Sequence, residues 1–485
     1  MSQADQDERT VSPAAYEAAG RRLPPVALGL MVTLVAAGAS LVAAGSKPSV
    51  VIAPISLAIA AAWATQRPAR AAWLSMVAIA LVPVYWSPLF PGTHVAVLPA
   101  VVVSVMVLPA AMRLRTKVHL TGIDRFFIAY LFFRLASLAV NPSGGFGLAL
   151  DTLAYVALPY VAFRMLSTQA GIRAAMAVGI VAGGIVSAVI AVREYNGVKN
   201  PFIRYIFGGY QYAFYAKTDR RFGRPRPEAA FGQAVPLGMF LALAAVIALA
   251  FAWRASTPWR RSLSYASALV VLAGLTNTLV RGPLIMVAVG VAMLLFGDVR
   301  RFRLDRAVLV VVAGAVLLTI GTFGTNVFRL RDASSEAGSQ VQQSGEVRFE
   351  IFDAVMKPEN FSLFGKTAET GEEVGFQEAV GQQVGLRSFE NAFALTYLGY
   401  GVLALIAFVG IALLVFRASF LSGLDMVDRG WCAAFAGVFV NLLGVGLVAQ
   451  FIQLFWIGVA VIASIVQVSA SAKRSVSSSA PGTLR

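Results

Sequence analysis

From Pro24 onward the chain alternates between long apolar runs and short polar breaks. A bilayer core of ~30 Å is crossed by about 20 apolar residues. By that measure the runs 25–45, 49–65, 71–88, 94–112, 126–140, 146–164, 172–192, 230–252, 263–280, 283–297, 307–324, 391–416, 430–447 and 450–468 read as spans. The pattern predicts an all-α, polytopic integral membrane protein with about 14 transmembrane helices (12–14). The weaker runs are 49–65, 71–88 and the final pair, which read equally as re-entrant segments.

Polar residues sort the breaks into two kinds. Arg21 and Arg22 precede the first run, and Arg67 and Arg70 follow the second. Arg113, Arg115, Lys117 and Arg125 follow the fourth, while Arg164 and Arg173 flank the break after the sixth. Arg254, Arg260 and Arg261 follow the eighth, and Arg300, Arg301, Arg303 and Arg306 the tenth. Arg417 and Arg429 flank the break after the twelfth, and Lys473 and Arg474 follow the last. Every second break is basic, which by the positive-inside bias puts both termini in the cytoplasm. The opposite side has short turns and two long polar stretches, 193–229 and 325–390. The chain thus divides into a cytoplasmic tail (1–24), N-terminal spans (25–192), a first extracytoplasmic loop (193–229), central spans (230–324), a large, partly helical extracytoplasmic loop (325–390), C-terminal spans (391–468) and a Ser-rich tail (469–485) expected to be disordered.

Composition narrows the class. Hydrophobic residues make up 58% of the chain and charged residues 13%, too few charges to cover a water-facing globule, so lipid is the solvent. The net charge of +16 raises nucleic-acid binding, but the basic residues lie in short breaks between apolar runs and form no phosphate-tracking patch. Cys432 is the only cysteine, which excludes an intrachain disulfide, and His94 and His119 are the only histidines, so a multi-histidine metal site is not expected. The N-terminus does not read as a signal peptide, because its first apolar run exceeds the ~7–15 residues of a signal core.

Several constellations carry candidate chemistry. The first long loop ends in Asp219-Arg220-Arg221-Phe222-Gly223-Arg224-Pro225-Arg226. Arginines on the outer side run against the topology bias, and guanidinium forks grip phosphate oxygens in pairs. A diphosphate site is one reading and lipid-headgroup contact or loop packing the other. Aromatics upstream, from Phe202 to Tyr215, read first as interfacial anchors. Val280-Arg281-Gly282-Pro283 leaves almost no turn between two spans, with Gly282 suited to the reversal and Pro283 to a helix start. Arg281 there is either a ligand-binding or a snorkelling cation. Arg134 and Asp151 are the charges farthest inside spans and are expected to form a structural ion pair. In the large loop, Val347, Ile351 and Val355 make one apolar stripe flanked by Arg348 and Glu350, an amphipathic helix whose charges are either solvated or functional. The loop then runs through Gly365, Gly371 and Gly375 to Arg387-Ser388-Phe389-Glu390-Asn391 at the next span.

In that order, an Arg-x-Gly before a helix, an Arg-Gly at a tight turn and a loop arginine helix leading to Asn-x7-Gly resemble the O-antigen ligase and polymerase superfamily over roughly residues 190–417. The resemblance implies a glycosyltransferase of the cytoplasmic (inner) membrane. It would join oligosaccharide repeat units from a polyprenyl-diphosphate donor on the extracytoplasmic face, without metal or other cofactor. Arg221, Arg281 and Arg348 match the family's arginines, and Asn391 its loop-end asparagine. Where the family often has histidine this chain has Glu390, and Val280 stands where it often has serine before Arg-Gly. Expected roles follow. Arg220, Arg221, Arg224 and Arg281 bind the diphosphate, Arg348 and Glu390 act in catalysis, and Asn391 and Glu350 support them. The expected partners are the lipid-linked donor, a glycan or glycolipid acceptor, the bilayer, and a chain-length regulator or other polysaccharide-assembly proteins, with no nucleic acid. A ligase moving a finished glycan to a terminal acceptor is the nearest alternative. A flippase for lipid-linked oligosaccharide is another, although it would need more charges within its spans than Arg134 and Asp151.

Overall fold

The computed structural model describes residues 67–83, 107, 111–112, 114, 118–140, 145–202, 220–221, 224–297, 357, 361–365, 391–447 and 450–478. The expected spans at 25–45, 49–65 and 307–324 lie outside these residues, as does the loop helix around Arg348. What is described is helical apart from one two-residue antiparallel pair. The elements are α1 (Pro68–Leu81), α2 (Gly122–Val140), α3 (Gly145–Thr152), a π-helical turn (Leu153–Ala157), α4 (Leu158–Leu166), α5 (Ala170–Tyr195), β1 (Arg220–Arg221), β2 (Arg224–Pro225), a 3₁₀ turn (Ala229–Phe231), α6 (Ala234–Arg254), α7 (Pro258–Asn277), α8 (Gly282–Phe296), α9 (Ala392–Ser419), α10 (Met426–Asn441) and α11 (Phe451–Ser478).

Among the described residues, five helical stretches are long and apolar enough to cross a membrane: Ala149–Leu166, Ala170–Tyr195, Ala234–Arg254, Ala392–Ser419 and Phe451–Ala472. Pro68–Leu81 and Gly282–Phe296 are apolar but shorter. The chain is therefore a multi-pass membrane protein of helical build. Each span expected within the described residues coincides with helix, and the bounds differ at the ends. The last helix continues to Ser478, so the expected disorder of the tail does not begin at residue 469. Ala470, Ala472, Lys473 and Arg474 favour helix, which carries the last turns on beyond the apolar run. The run at 146–164 is interrupted at the π turn. Pro159 has no N–H to give the Tyr155 carbonyl, and the helix absorbs the defect by widening for one turn.

The centre is α6, apolar on every side and buried over most of its length. It packs against α5, α7, α8 and α10. Around it α1 lies along α5, α2 along α9, α4 along α11, and α8 along α10. Backbones approach closely where glycine faces a neighbouring helix, as expected where helix association rests on packing between small residues. A Cβ on Gly274 would stand 2.5 Å from Ala188 Cα, and one on Gly179 2.6 Å from the Trp73 carbonyl oxygen. The outward faces are apolar, including Trp259 and Leu263 of α7 and Ile406 and Leu413 of α9.

The helix ends fall on two opposite faces. One carries the basic breaks, and two of their arginines are not at the surface. Arg164 and Arg173 are buried. Arg164 binds Asp124 with Nε at 2.8 Å and Nη2 at 3.0 Å, and its other donors reach Ser464, Gln467 and the His119 carbonyl. Tyr160 donates to the same carboxylate at 2.7 Å. Arg173 forks onto Asp428 at 2.7 and 2.6 Å and donates to the carbonyls of Ser167 and Thr168. These pairs tie α2, α4 and α11, and α5 to α10, at the level where a bundle in lipid has little else to hold register. The face opposite carries the ends of the two long loops.

Candidate functional site

On the loop face the turn between α7 and α8 is tight. Thr278 closes α7 by donating its hydroxyl to the Leu275 carbonyl at 2.7 Å. Leu279 takes a left-handed φ of +56°, costly for a side chain with a Cβ. Gly282 then starts α8, with Pro283 in its first turn. Arg281 is exposed, and its side chain does not cap the helix. Pro283 and Thr278 both lie against Gly238, so the start of α6 is packed against the start of α8.

The start of α9 stands at the same corner. Asn391 is its N-cap, accepting from the N–H groups of Phe393 and Ala394 at 3.0 and 3.1 Å. This is the role expected of an asparagine before an apolar run. Its amide nitrogen donates to the Leu443 carbonyl at 2.8 Å. The Ala392 N–H points at the carbonyls of Leu442 and Val445, both at 3.2 Å. The other side of that turn touches α8. A Cβ on Gly282 would stand 2.2 Å from Asn441 Oδ1 and 3.4 Å from Val445 Cγ2. Arg281 and Asn391, 110 positions apart in the chain, are thus joined through the 441–445 turn.

The arginine-rich end of the first loop is fastened nearby to α5 and α6. β1 and β2 pair Arg220 with Pro225 and Arg221 with Arg224. The Arg224 guanidinium lies 5.8 Å from the centre of the Tyr195 ring, within cation–π range. The buried Glu194 carboxylate accepts from the N–H groups of Glu228 at 2.8 Å and Ala229 at 3.2 Å. Asn200 donates to the Ala229 carbonyl at 2.8 Å. Held from both sides, Ala229 has a φ of +44°. Gln450, just before α11, donates to the carbonyls of Val82 and Ala230. Ala229 and Leu279 are the only non-glycine residues with positive φ among the described residues. Both sit on this face, each beside one of the two arginine motifs.

A second polar cluster lies within the bundle. Arg134 donates to Thr152 at 3.0 Å and Tyr130 at 3.2 Å, and stacks 4.3 Å from the Tyr400 ring centre. Asp151, its expected partner, adds an electrostatic attraction. Arg134 is therefore held chiefly by neutral hydroxyls and a ring. Next to Tyr400, α9 is broken at Gly401, where φ is +87°. The break receives residues 361–365 of the large loop. The Val402 N–H donates to the Ser362 carbonyl at 3.0 Å, and a Cβ on Gly365 would stand 2.3 Å from the Gly399 carbonyl oxygen. Ser137 of α2 donates to that same oxygen at 2.9 Å.

No protein-family model matches the chain, and no curated protein matches its sequence.

Among the expected site residues, then, Arg281 and Asn391 share one corner, and the hairpin carrying Arg220, Arg221 and Arg224 is anchored on the same face. Arg348, Glu350 and Glu390 lie outside the described residues. Two residues of this face escaped the sequence reading. Glu194 sits just past an apolar run, and Asn441 inside another, before a Gly-containing segment. An isolated polar residue at such a place is the only signal either gives. The face as a whole presents an exposed arginine and the N-termini of α8 and α9, whose dipoles favour anions.

Proposed function

We propose that this chain is a membrane glycosyltransferase of the O-antigen ligase and polymerase type. It polymerises oligosaccharide repeat units from a polyprenyl-diphosphate donor on the extracytoplasmic face, building a surface polysaccharide. The observation that carries the reading is the 441–445 turn, which binds the α8 start at Arg281-Gly282 to the α9 start at Asn391. Support also comes from the two strained backbones, because strain of this kind clusters at functional sites.

The chemistry needs a hydroxyl to attack an anomeric carbon while a diphosphate leaves. The arginines of the hairpin (Arg220, Arg221 and Arg224) and Arg281 hold the diphosphate and neutralise the charge that grows on it. Arg348 of the loop helix completes this grip. Glu390, next to the Asn391 cap, takes the proton from the attacking hydroxyl, with Glu350 supporting it. The architecture has about 14 helices, spans the cytoplasmic membrane and keeps both termini inside.

Two measurements test this reading. In the first, purified protein is given a polyprenyl-diphosphate oligosaccharide in EDTA, and chain extension is followed on gels. Undiminished extension is expected; loss of turnover restored by Mg²⁺ or Mn²⁺ overturns the arginine-only mechanism. The second concerns sidedness. The native Cys432 is buried, so introduced cysteines report without background. Ser339→Cys is expected to react with an impermeant thiol reagent in intact cells, and Ser256→Cys, on the exposed turn between α6 and α7, only after permeabilisation. The reverse pattern inverts the topology and removes the extracytoplasmic site.

A further inference from the structure

The side chain of Asn441 is buried, 4% exposed, and neither its Oδ1 nor its Nδ2 has a hydrogen-bond partner among the described residues. A carboxamide withdrawn from water without partners is costly. Leucine has nearly the same size and would suit a helix end in lipid at no such cost. The carboxamide rests against Gly282, the first residue of α8, directly after Arg281. The turn that follows it is held to the N-cap of α9 by Asn391. No side-chain or backbone neighbour crowds the Cβ position of Gly444 within the turn more closely than 3.9 Å. An unpartnered polar side chain therefore stands where two helix N-termini meet, behind the arginine assigned to the diphosphate.

We propose that Asn441 is a sugar-reading residue: its carboxamide pairs with a group on the first sugar of the lipid-linked donor. This rests on the transferase reading above and adds a specificity determinant to it. The chemistry of the partner follows from the two orphaned atoms. Nδ2 needs an acceptor and Oδ1 needs a donor. Diphosphate oxygens only accept, so they leave Oδ1 unpaired. A sugar hydroxyl or acetamido group gives and takes one hydrogen bond each. An acetamido group, whose N–H and C=O point opposite ways, satisfies one of the two atoms, and a neighbouring ring hydroxyl the other. Gly282 leaves room for the carboxamide itself, since any side chain there would displace it. A site built to pair a polar group discriminates sharply against an analogue that lacks it.

The test compares the full-length wild type with Asn441→Leu and Asn441→Ala in lipid nanodiscs. Two probes are used: bare undecaprenyl diphosphate, and undecaprenyl diphosphate carrying one N-acetylhexosamine. Both variants are expected to bind the sugar-bearing probe roughly tenfold or more weakly and the bare probe as the wild type does. Asn441→Leu is also expected to melt above the wild type, because it removes an unpaired buried amide. Equal binding of the sugar-bearing probe by the wild type and both variants overturns the inference and leaves the transferase reading standing. So does an Asn441→Leu variant that melts lower and binds both probes more weakly, the mark of a structural amide. If the wild type binds neither probe, the transferase reading itself falls.

Discussion

Arg281→Lys is expected to slow glycan transfer by about ten- to hundredfold, the effect of losing a charge-assisted bond of ~1.5–3 kcal/mol. Lysine keeps the charge but gives up the planar two-point grip on phosphate. Arg281 is exposed, and its side chain does not cap α8. The backbone bonds that start the helix run from Leu284 and Ile285 to the Arg281 carbonyl, which lysine retains. Melting temperature and yield should therefore stay at wild-type values while turnover falls. Arg221→Lys should show the same signature from the other loop. Wild-type rates for both variants would take the diphosphate away from this face. A fall in stability matching the fall in rate would make Arg281 a structural residue.

The largest effect on stability is expected at the opposite face, from Asp428→Ala. Arg173 is fully enclosed, and Asp428 takes two of its bonds while the carbonyls of Ser167 and Thr168 take others. Removing the carboxylate strands a guanidinium away from water, and breaking such a buried pair costs about 3–5 kcal/mol. The exposed pair of Arg254 with Asp425, at 3.3 Å, is the internal control. Its loss should cost ~0–1 kcal/mol. Thermal melting in detergent is expected to show a large drop for Asp428→Ala and almost none for Asp425→Ala. Similar small drops would mean that the pair between α5 and α10 is open to water. Replacing Arg173 and Asp428 together by Met and Leu should recover much of the loss, since the penalty lies in the orphaned charge.

The spans were legible because lipid imposes a length and a polarity that a single sequence displays directly. One local start was legible too: Pro283, read as suited to a helix start, opens α8. What the sequence concealed was pairing across distance. Arg164 and Arg173 look like ordinary members of a basic break. Their burial depends on Asp124 and Asp428, 40 and 255 positions away, which no local pattern connects. The break in α9 was hidden for a similar reason. Gly399-Tyr400-Gly401 lies inside an apolar run, and only the backbone of residues 361–365, arriving from the loop, makes the break affordable there. The candidate site was legible only in part. Motif order named Arg281 and Asn391, whereas the 441–445 turn that joins them carries no charge and no motif.

The grip of residues 361–365 on α9 has a bearing on how this chain can be rebuilt. The contact is made by main-chain atoms and by the absence of side chains at Gly365 and Gly401. The contact itself asks little of the side chains around it beyond those two glycines. Those five residues and the Gly399–Val402 segment are not separable, because a foreign loop without the first leaves the helix broken with nothing in the gap. The natural unit for a chimera therefore runs from within the loop through about the first three turns of α9, and a cut placed at the membrane boundary would divide a single part.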